Sequence, residues 1–429
     1  MIKDLYDKYI DCGYQISTDT RNIKDNSLFV ALKGPNFNAN LFANQALEKG
    51  AKYALIDDAK YAIKGKTILV DNALKTLQDL ANHHRNQFSI PVIGITGSNG
   101  KTTSKELIGA VLKSEFNILV TQGNLNNHIG VPLTLLRLNK SHQIAIIEMG
   151  ANHVGEIREL SSIAEPTHGV ITNIGIAHIE GFGSKEGVLK TKKELYDHIA
   201  TKNGILFCNQ DDEQLTNILP KNTQNVLFGK NSTNISGQIK EANPFISFSW
   251  RFENYNSNEL KTHLIGEYNF YNFLLAITIG TFFKVKPSNI NSSLVNYQPS
   301  NNRSQVVKTE HNTVIVDCYN ANPTSVMAAL NSFKLIDSEN KLVILGDMLE
   351  LGKISATEHL NVLNFLSNNN INCITVGNEF KKVKSEFKNF DTVELLIKHI
   401  KNNQIKSNFL LLKGSRAIKL ETLINSKAI

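Results

Sequence analysis

Cysteine is scarce in this 429-residue chain: Cys12, Cys208, Cys318 and Cys373 are all it has, and no two stand in a CxxC spacing. Scattered thiols of this kind exclude a zinc ribbon and a disulfide framework, so buried free cysteines are expected. Long apolar runs are missing as well. The longest, roughly Phe273 to Phe283, is interrupted by Thr and Gly and falls well short of the ~20 residues that cross a bilayer. The first ten residues, MIKDLYDKYI, mix charged with apolar positions and do not form a basic segment followed by a clean apolar stretch. They do not read as a signal peptide, and a cytoplasmic location with no membrane insertion is expected. No internal repeat and no low-complexity segment is visible.

An excess of one charge is modest. Lys and Arg number 46 against 39 Asp and Glu, a net charge of +7. The basic residues are scattered, with short clusters such as Lys190 to Lys193, and no long basic run is interleaved with aromatics. That pattern argues against nucleic acid as a partner and leaves phosphorylated small molecules as a use for the charge.

What is present is a globular composition, 41% hydrophobic and 20% charged. The length, about three times a typical domain of roughly 150 residues, predicts two to four domains. In the first part, short apolar runs at 27–32, 53–56 and 67–70 read as strands, and Ala39 to Lys49, closed by Gly50, reads as a helix. PVIGIT, from Pro91, is apolar without alternation, as suits a central parallel strand covered on both faces. Strands at 144–147, 169–171 and 204–207 then alternate with helical segments, the pattern of a doubly wound sheet. The polar stretch QPSNNR breaks it, and strands at 313–316, 342–345 and 409–412 predict a third unit. The expectation is an α/β protein of three domains, 1–88, 89–297 and 298–429.

Chemistry concentrates at Gly94 to Thr103, GITGSNGKTT, between the strand and the helix-forming KELIGAVLK. A glycine-rich strand-to-helix turn offers backbone N–H groups and a positive helix end to a phosphate. The loop is Gly97, Ser98, Asn99, Gly100, Lys101, Thr102 and Thr103: Lys101 is placed to reach the β and γ phosphates and the Thr102 hydroxyl to ligate Mg²⁺. It departs from a regular Walker A loop, which needs glycine where this chain has Ile95. Mg²⁺ prefers hard oxygen ligands, and Glu148, at the end of IAIIE, is the candidate carboxylate at a strand's carboxyl edge.

The loop belongs to a longer series: TGSNGKTTSKE, TQGNLNNHIGVPLTLL, EMGANHVGEI, ITNIGIAHIEGFGSKEGVLKTKKELY, DCYNANPTS, LGDMLELG and LLKGSR. Together and in order these resemble the Mur ligases over essentially the whole chain. The resemblance implies a P-loop-type central domain, a Rossmann-like C-terminal domain, and ATP and Mg²⁺ as cofactors. It implies that His178 lies near a second metal and that Lys192 is the lysine carbamylated in many members, with Lys190 or Lys193 as neighbours that could be taken for it. CO₂ adds to a neutral amine and turns a cation into an anion able to support Mg²⁺.

By the same resemblance, Asn269, Arg303, Asp317 and Asn322 contact ATP, in a segment that also includes Tyr319, Asn320 and Pro323. Asn127 and His128 meet the substrate and nucleotide phosphates, and Ser17, Thr18, Arg21 and Asn38 contact a uridine-diphosphate substrate. Two positions depart from the family pattern, Asn302 where glycine is common before the arginine and Tyr268 where histidine is common. LGDMLELG with His359 downstream implies the D-alanyl-D-alanine-adding branch, and no DNPR-type motif of the third-residue branch is found. The expected activity is an ATP-dependent ligase, acting as a monomer, that joins D-alanyl-D-alanine to UDP-N-acetylmuramoyl-tripeptide through an acyl phosphate. Another Mur ligase or a folylpolyglutamate synthase is the alternative, and a nucleotide-dependent binding protein the rival from outside catalysis.

Overall fold

A computed structural model describes residues 2–300, 302–406 and 408–429. Its architecture is α/β in three parts, each built on a parallel-rich sheet. The first sheet is wholly parallel, in the order Ile16–Ser17, Leu28–Val30, Tyr53–Ile56, Thr67–Leu69. The predicted helix at 39–49 is split into a 3₁₀ turn, Ala39–Phe42, and a short α-helix, Ala43–Glu48. Helix Ala73–Arg85 leaves this sheet and packs on the next domain: Gln78 Nε2 donates to Glu159 Oε1 at 2.7 Å and Arg85 Nε to the Ala164 carbonyl at 3.1 Å. Leu77 and Leu80 share one apolar core with Leu135 and Leu160, so the first two parts are cemented by burial and are not merely tethered.

The second sheet has ten strands. Its parallel part runs Ile118–Val120, Ile144–Glu148, Val92–Thr96, His168–Ile171, Ile205–Asn209, Gln224–Gly229. Val92–Thr96 is buried at every residue, as its unbroken apolar run predicts, and lies where the strand order reverses. That switch point is where ligands gather in such sheets. Beyond Gln224–Gly229 the sheet continues as an antiparallel ribbon, Ile235–Ala242, Phe245–Phe252 and Leu260–Ile265, which the doubly wound expectation did not include. Helix Phe270–Phe282, the longest apolar run, is buried beneath this sheet beside Phe248 and Trp250. Among the described residues no helix is long and apolar enough to cross a membrane.

The third sheet has six strands, in the order Gln305–Lys308, Thr313–Asp317, Phe409–Lys413, Lys341–Gly346, Asn372–Val376, Lys388–Phe390, parallel except for the first. All four cysteines are free and buried, as their spacing predicts.

Candidate active site

The carboxyl ends of the second and third sheets face each other across a cleft of ≈ 600 Å³. One wall is the phosphate loop. Gly100 precedes helix Lys101–Lys113 at φ +79° without a side-chain cap, leaving the first N–H groups of the helix available to an anion. Gly97 is at φ +144°, and a Cβ there would overlap Thr172 Oγ1, so this glycine is required. The segment after His168–Ile171 braces the loop: Thr172 Oγ1 donates to the Asn99 carbonyl at 2.6 Å, Asn173 Oδ1 accepts from Asn99 N–H at 3.0 Å, and Ser98 Oγ donates to the Gly175 carbonyl at 3.1 Å. Lys101 folds back, with Nζ donating to the Gly97 carbonyl at 2.6 Å and the Ser98 carbonyl at 3.2 Å. Burial brings its ammonium down to about 8, with Glu148 opposing the shift.

Glu148 closes strand Ile144–Glu148 and is 1% exposed. Its Oε1 accepts from Thr102 Oγ1 at 3.1 Å and from Asn126 Nδ2 at 2.8 Å. Its Oε2 is buried, and among the described residues no hydrogen bond reaches it. Lys105 Nζ stands 3.4 Å from it. A buried carboxylate with one oxygen free, beside a threonine hydroxyl, fits the hard-oxygen preference of Mg²⁺. Among the described residues no group of three or more His, Cys, Asp or Glu could hold an ion by itself. The donor set therefore suits an ion that arrives with phosphate oxygens and water, the usual habit of Mg²⁺.

His178 borders the cleft in the left-handed conformation, φ +52°, and its Nδ1 meets the Glu350 carboxylate of the third domain. Lys192 does not line the cleft. It is 2% exposed on helix Lys185–Thr201, with Nζ 5.4 Å over the Phe182 ring. Burial above all, then the charge of Lys101, pushes its ammonium well below the ordinary lysine value. Lys190 is exposed and Lys193 pairs with Asp197, so the three neighbouring lysines have different surroundings and only Lys192 is buried.

The opposite wall belongs to the third domain. Asn322 caps helix Pro323–Lys334 in a reciprocal box with Ser325, and its Nδ2 donates to Asn99 Oδ1 at 2.8 Å. Thr324 Oγ1 accepts from Ile176 N–H at 3.0 Å. Arg303 lies 3.7 Å over the Tyr319 ring, and Arg416 is 5.1 Å from the same ring. Asn302, the departure from a common glycine, adopts φ +57°, a conformation that asparagine tolerates better than most residues. Tyr268, the departure from histidine, hydrogen bonds Ser304 Oγ at 3.0 Å. Asp317 accepts from Ser304 N–H through Oδ1 and from Lys413 Nζ through Oδ2, at 3.2 and 2.6 Å.

The cleft brings together Ser98 to Thr103, Asn127, His128, Glu148, His178, Asn269, Arg303 and Asp317. Gly97, Lys192 and Asn322 support it from behind and do not line it. Ser17, Thr18, Arg21 and Asn38 do not reach it either. Ser17 Oγ donates to the Asp19 carbonyl, Arg21 is held by Asp19, and Asn38 Oδ1 caps the turn at Asn40. Sequence reasoning gave no role to Lys105, Asn126, Glu350, Lys413 or Arg416. All five stand inside the recognised motifs, yet only the folded chain shows their partners.

Residues 95–280 match the family model described as Mur ligase middle domain, and residues 302–416 that described as Mur ligase, glutamate ligase domain. A UDP-N-acetylmuramoyl-tripeptide--D-alanyl-D-alanine ligase of Buchnera aphidicola subsp. Baizongia pistaciae is 36% identical over 423 residues, spanning 96% of this chain and 91% of that protein. Among solved structures, MurF from Acinetobacter baumannii superimposes with a TM-score of 0.87 at 32% identity, covering 96% of this chain and 93% of that one. MurF ligase from Thermotoga maritima in complex with ADP gives a TM-score of 0.86 at 25% identity, covering 96% and 97%.

Proposed function

The chain belongs to the Mur ligase family, and from that premise we propose that it joins D-alanyl-D-alanine to UDP-N-acetylmuramoyl-tripeptide at the expense of ATP. Full-length relatives bear that activity in their names, which favours it over the third-residue-adding and folylpolyglutamate alternatives. The observation that carries the reading is the two-walled cleft. A phosphate loop with Lys101 and Glu148 faces Arg303 and Asp317 across a space of ≈ 600 Å³, polar on both sides.

The tripeptide's terminal carboxylate attacks the γ-phosphorus of ATP, forming a C–O–P bond and releasing ADP. The amine of D-alanyl-D-alanine, having lost a proton, attacks the acyl carbon, and the tetrahedral intermediate expels phosphate. The loop N–H groups at 97–103 and Lys101 bind and align the β and γ phosphates, Asn269 holds the nucleotide from the same side, and Arg303 holds it from across the cleft. Thr102, Glu148 and His178, which line the cleft, would hold Mg²⁺, which supplies neutralisation of phosphate charge, and Lys192, once carbamylated, would support them from behind. Burial makes the Lys192 amine neutral more readily, the form that adds CO₂ with formation of an N–C bond and loss of a proton.

Asn127 and His128 contact the substrate phosphates from the loop before helix Gly130–Leu135. Residues 1–88 take the uridine diphosphate end through Ser17, Thr18, Arg21 and Asn38, residues 89–297 take ATP, and residues 298–429 close over it with Asp317 and Asn322. The enzyme works as a monomer in the cytoplasm, where ATP is available, on polyanionic substrates that suit its net charge of +7.

The test is phosphate release by the purified chain with ATP, Mg²⁺ and UDP-N-acetylmuramoyl-tripeptide. D-Alanyl-D-alanine is expected to support turnover and single amino acids to fail. Turnover with a single amino acid alone would transfer the assignment to the third-residue branch.

A further inference from the structure

Lys105 is buried where the phosphate-binding role does not use it. It stands one turn after Lys101 on helix Lys101–Lys113, on the face turned to strand Ile144–Glu148, and is 3% exposed. A lysine is almost never fully buried unless it is paired. Its partner is Glu148: Nζ is 3.4 Å from Oε2, with the two side chains 3% and 2% exposed. The carboxylate oxygens are thus divided. Oε1 receives hydrogen bonds from Thr102 and Asn126, while among the described residues no hydrogen bond reaches Oε2. Packing does not require a charge at this position. Leu107, Ile108 and Val111 already fix the helix to the sheet, and an apolar side chain of similar length would fill the space without desolvating an ammonium.

We propose that Lys105 is a positioning residue that presents Glu148 to the divalent ion and sets how tightly the ion is held. The proposal rests on the reading of Glu148 as an Mg²⁺ ligand. The ammonium compensates a carboxylate that would otherwise be a lone buried charge, so the Glu148 side chain is fixed in place before an ion arrives. The same ammonium repels the dication that binds the free oxygen, because like charges a few ångströms apart interact strongly where water is excluded. Affinity is thereby held below what Glu148 would give unopposed. A ligase that must release ADP and its metal in every cycle benefits from that restraint.

Mn²⁺, which shares the oxygen preference of Mg²⁺ and is visible by electron paramagnetic resonance, is the probe. It is titrated into the full-length chain with saturating ADP, whose phosphates complete the coordination, for the wild type, Lys105→Met, Lys105→Arg, Glu148→Gln and the Lys105→Met/Glu148→Gln double variant. Lys105→Met is expected to tighten Mn²⁺ binding about tenfold. Lys105→Arg, which keeps the charge, stays near wild type, and Glu148→Gln and the double variant bind weakly. In EDTA, Lys105→Met unfolds at a lower temperature than wild type and recovers with Mn²⁺, whereas the double variant, having lost both charges, needs no such rescue. Unchanged Mn²⁺ affinity in Lys105→Met, with Glu148→Gln weakened, overturns the proposal and leaves the metal reading standing. Wild-type affinity in Glu148→Gln removes the metal reading itself. Should Lys105→Met fail to fold, the double variant decides: folding supports the charge pairing, and failure overturns it.

Discussion

Asn322 caps a helix in one domain and grips the phosphate loop of another: its Oδ1 accepts from Ser325 N–H at 2.9 Å while its Nδ2 donates to Asn99 Oδ1 at 2.8 Å. The glycine-rich loop of the central part and helix Pro323–Lys334 of the third are therefore joined by an amide pair. Asn99 has its carbonyl and N–H already committed to Thr172 and Asn173, so its side chain is the part free to make this link.

The two jobs of Asn322 separate by substitution. Asn322→Asp keeps an oxygen for the cap but loses the donor to Asn99, and is expected to raise the KM for ATP several-fold with little change in unfolding temperature. Asn322→Ala loses both and adds a capping loss of about 1 kcal/mol. Steady-state kinetics with thermal unfolding checks the pair, and equal KM values for wild type and Asn322→Asp would dismiss the link.

Lys101 is the second case. Its ammonium donates to two loop carbonyls, and burial disfavours its charge. Lys101→Ala therefore is expected to fold as well as wild type, yet to form no acyl phosphate detectable by hydroxylamine trapping. Near-normal ADP release in that variant would sink the phosphate role.

Much of this site was legible in the sequence, for a physical reason. The phosphate loop needs a buried strand, glycines in unusual conformations and a following helix, all consecutive, and so Gly97, Gly100, Lys101 and Thr102 announce themselves. Glu148 was legible because a strand's carboxyl end is a fixed place in such a fold. Contacts between distant segments left no such mark: Glu350 reaching His178, Lys413 holding Asp317 and Lys105 facing Glu148 depend on how helices and sheets are stacked. The antiparallel ribbon at 235–265 was missed because its polar turns and partly exposed strands lack the continuous apolar run that marked the parallel strands.

Gly97 gives a sharper geometric test than any charged residue. Its φ of +144° and the position of Thr172 leave no room for a methyl group. Gly97→Ala is expected to cost about 1–3 kcal/mol of stability through strain and to weaken ADP binding at least tenfold by displacing the loop. A second variant, Thr172→Ser, removes the methyl but keeps the hydroxyl that holds Asn99, and is expected to bind ADP as wild type does. Calorimetric titration of ADP into both variants checks this, and tight binding by Gly97→Ala would show that the loop's shape is not set here.

His168 contributes a separable part of the pH dependence of the central domain. It begins strand His168–Ile171, stacks on Phe207 and meets Phe282 and Phe283, and its Nδ1 is 2.8 Å from Thr167 Oγ1. Burial among these rings brings the imidazole down to about 4, from its ordinary value of 6.5. Between those two values the unfolded chain binds a proton that the folded chain refuses. Stability contributed by the neutral imidazole is thus complete above pH 6.5 and falls as the pH drops toward 4. For a shift of this size the loss between pH 7.5 and pH 5 is about 2 kcal/mol. His84, His142, His198 and His359 are also pushed down by burial, so the wild-type pH profile sums several groups. The informative quantity is the difference between wild type and His168→Phe in urea unfolding. That difference is expected to move by about 2 kcal/mol in favour of the variant when the pH is lowered from 7.5 to 5. A difference that stays constant across this range would mean that His168 takes up its proton in the folded protein.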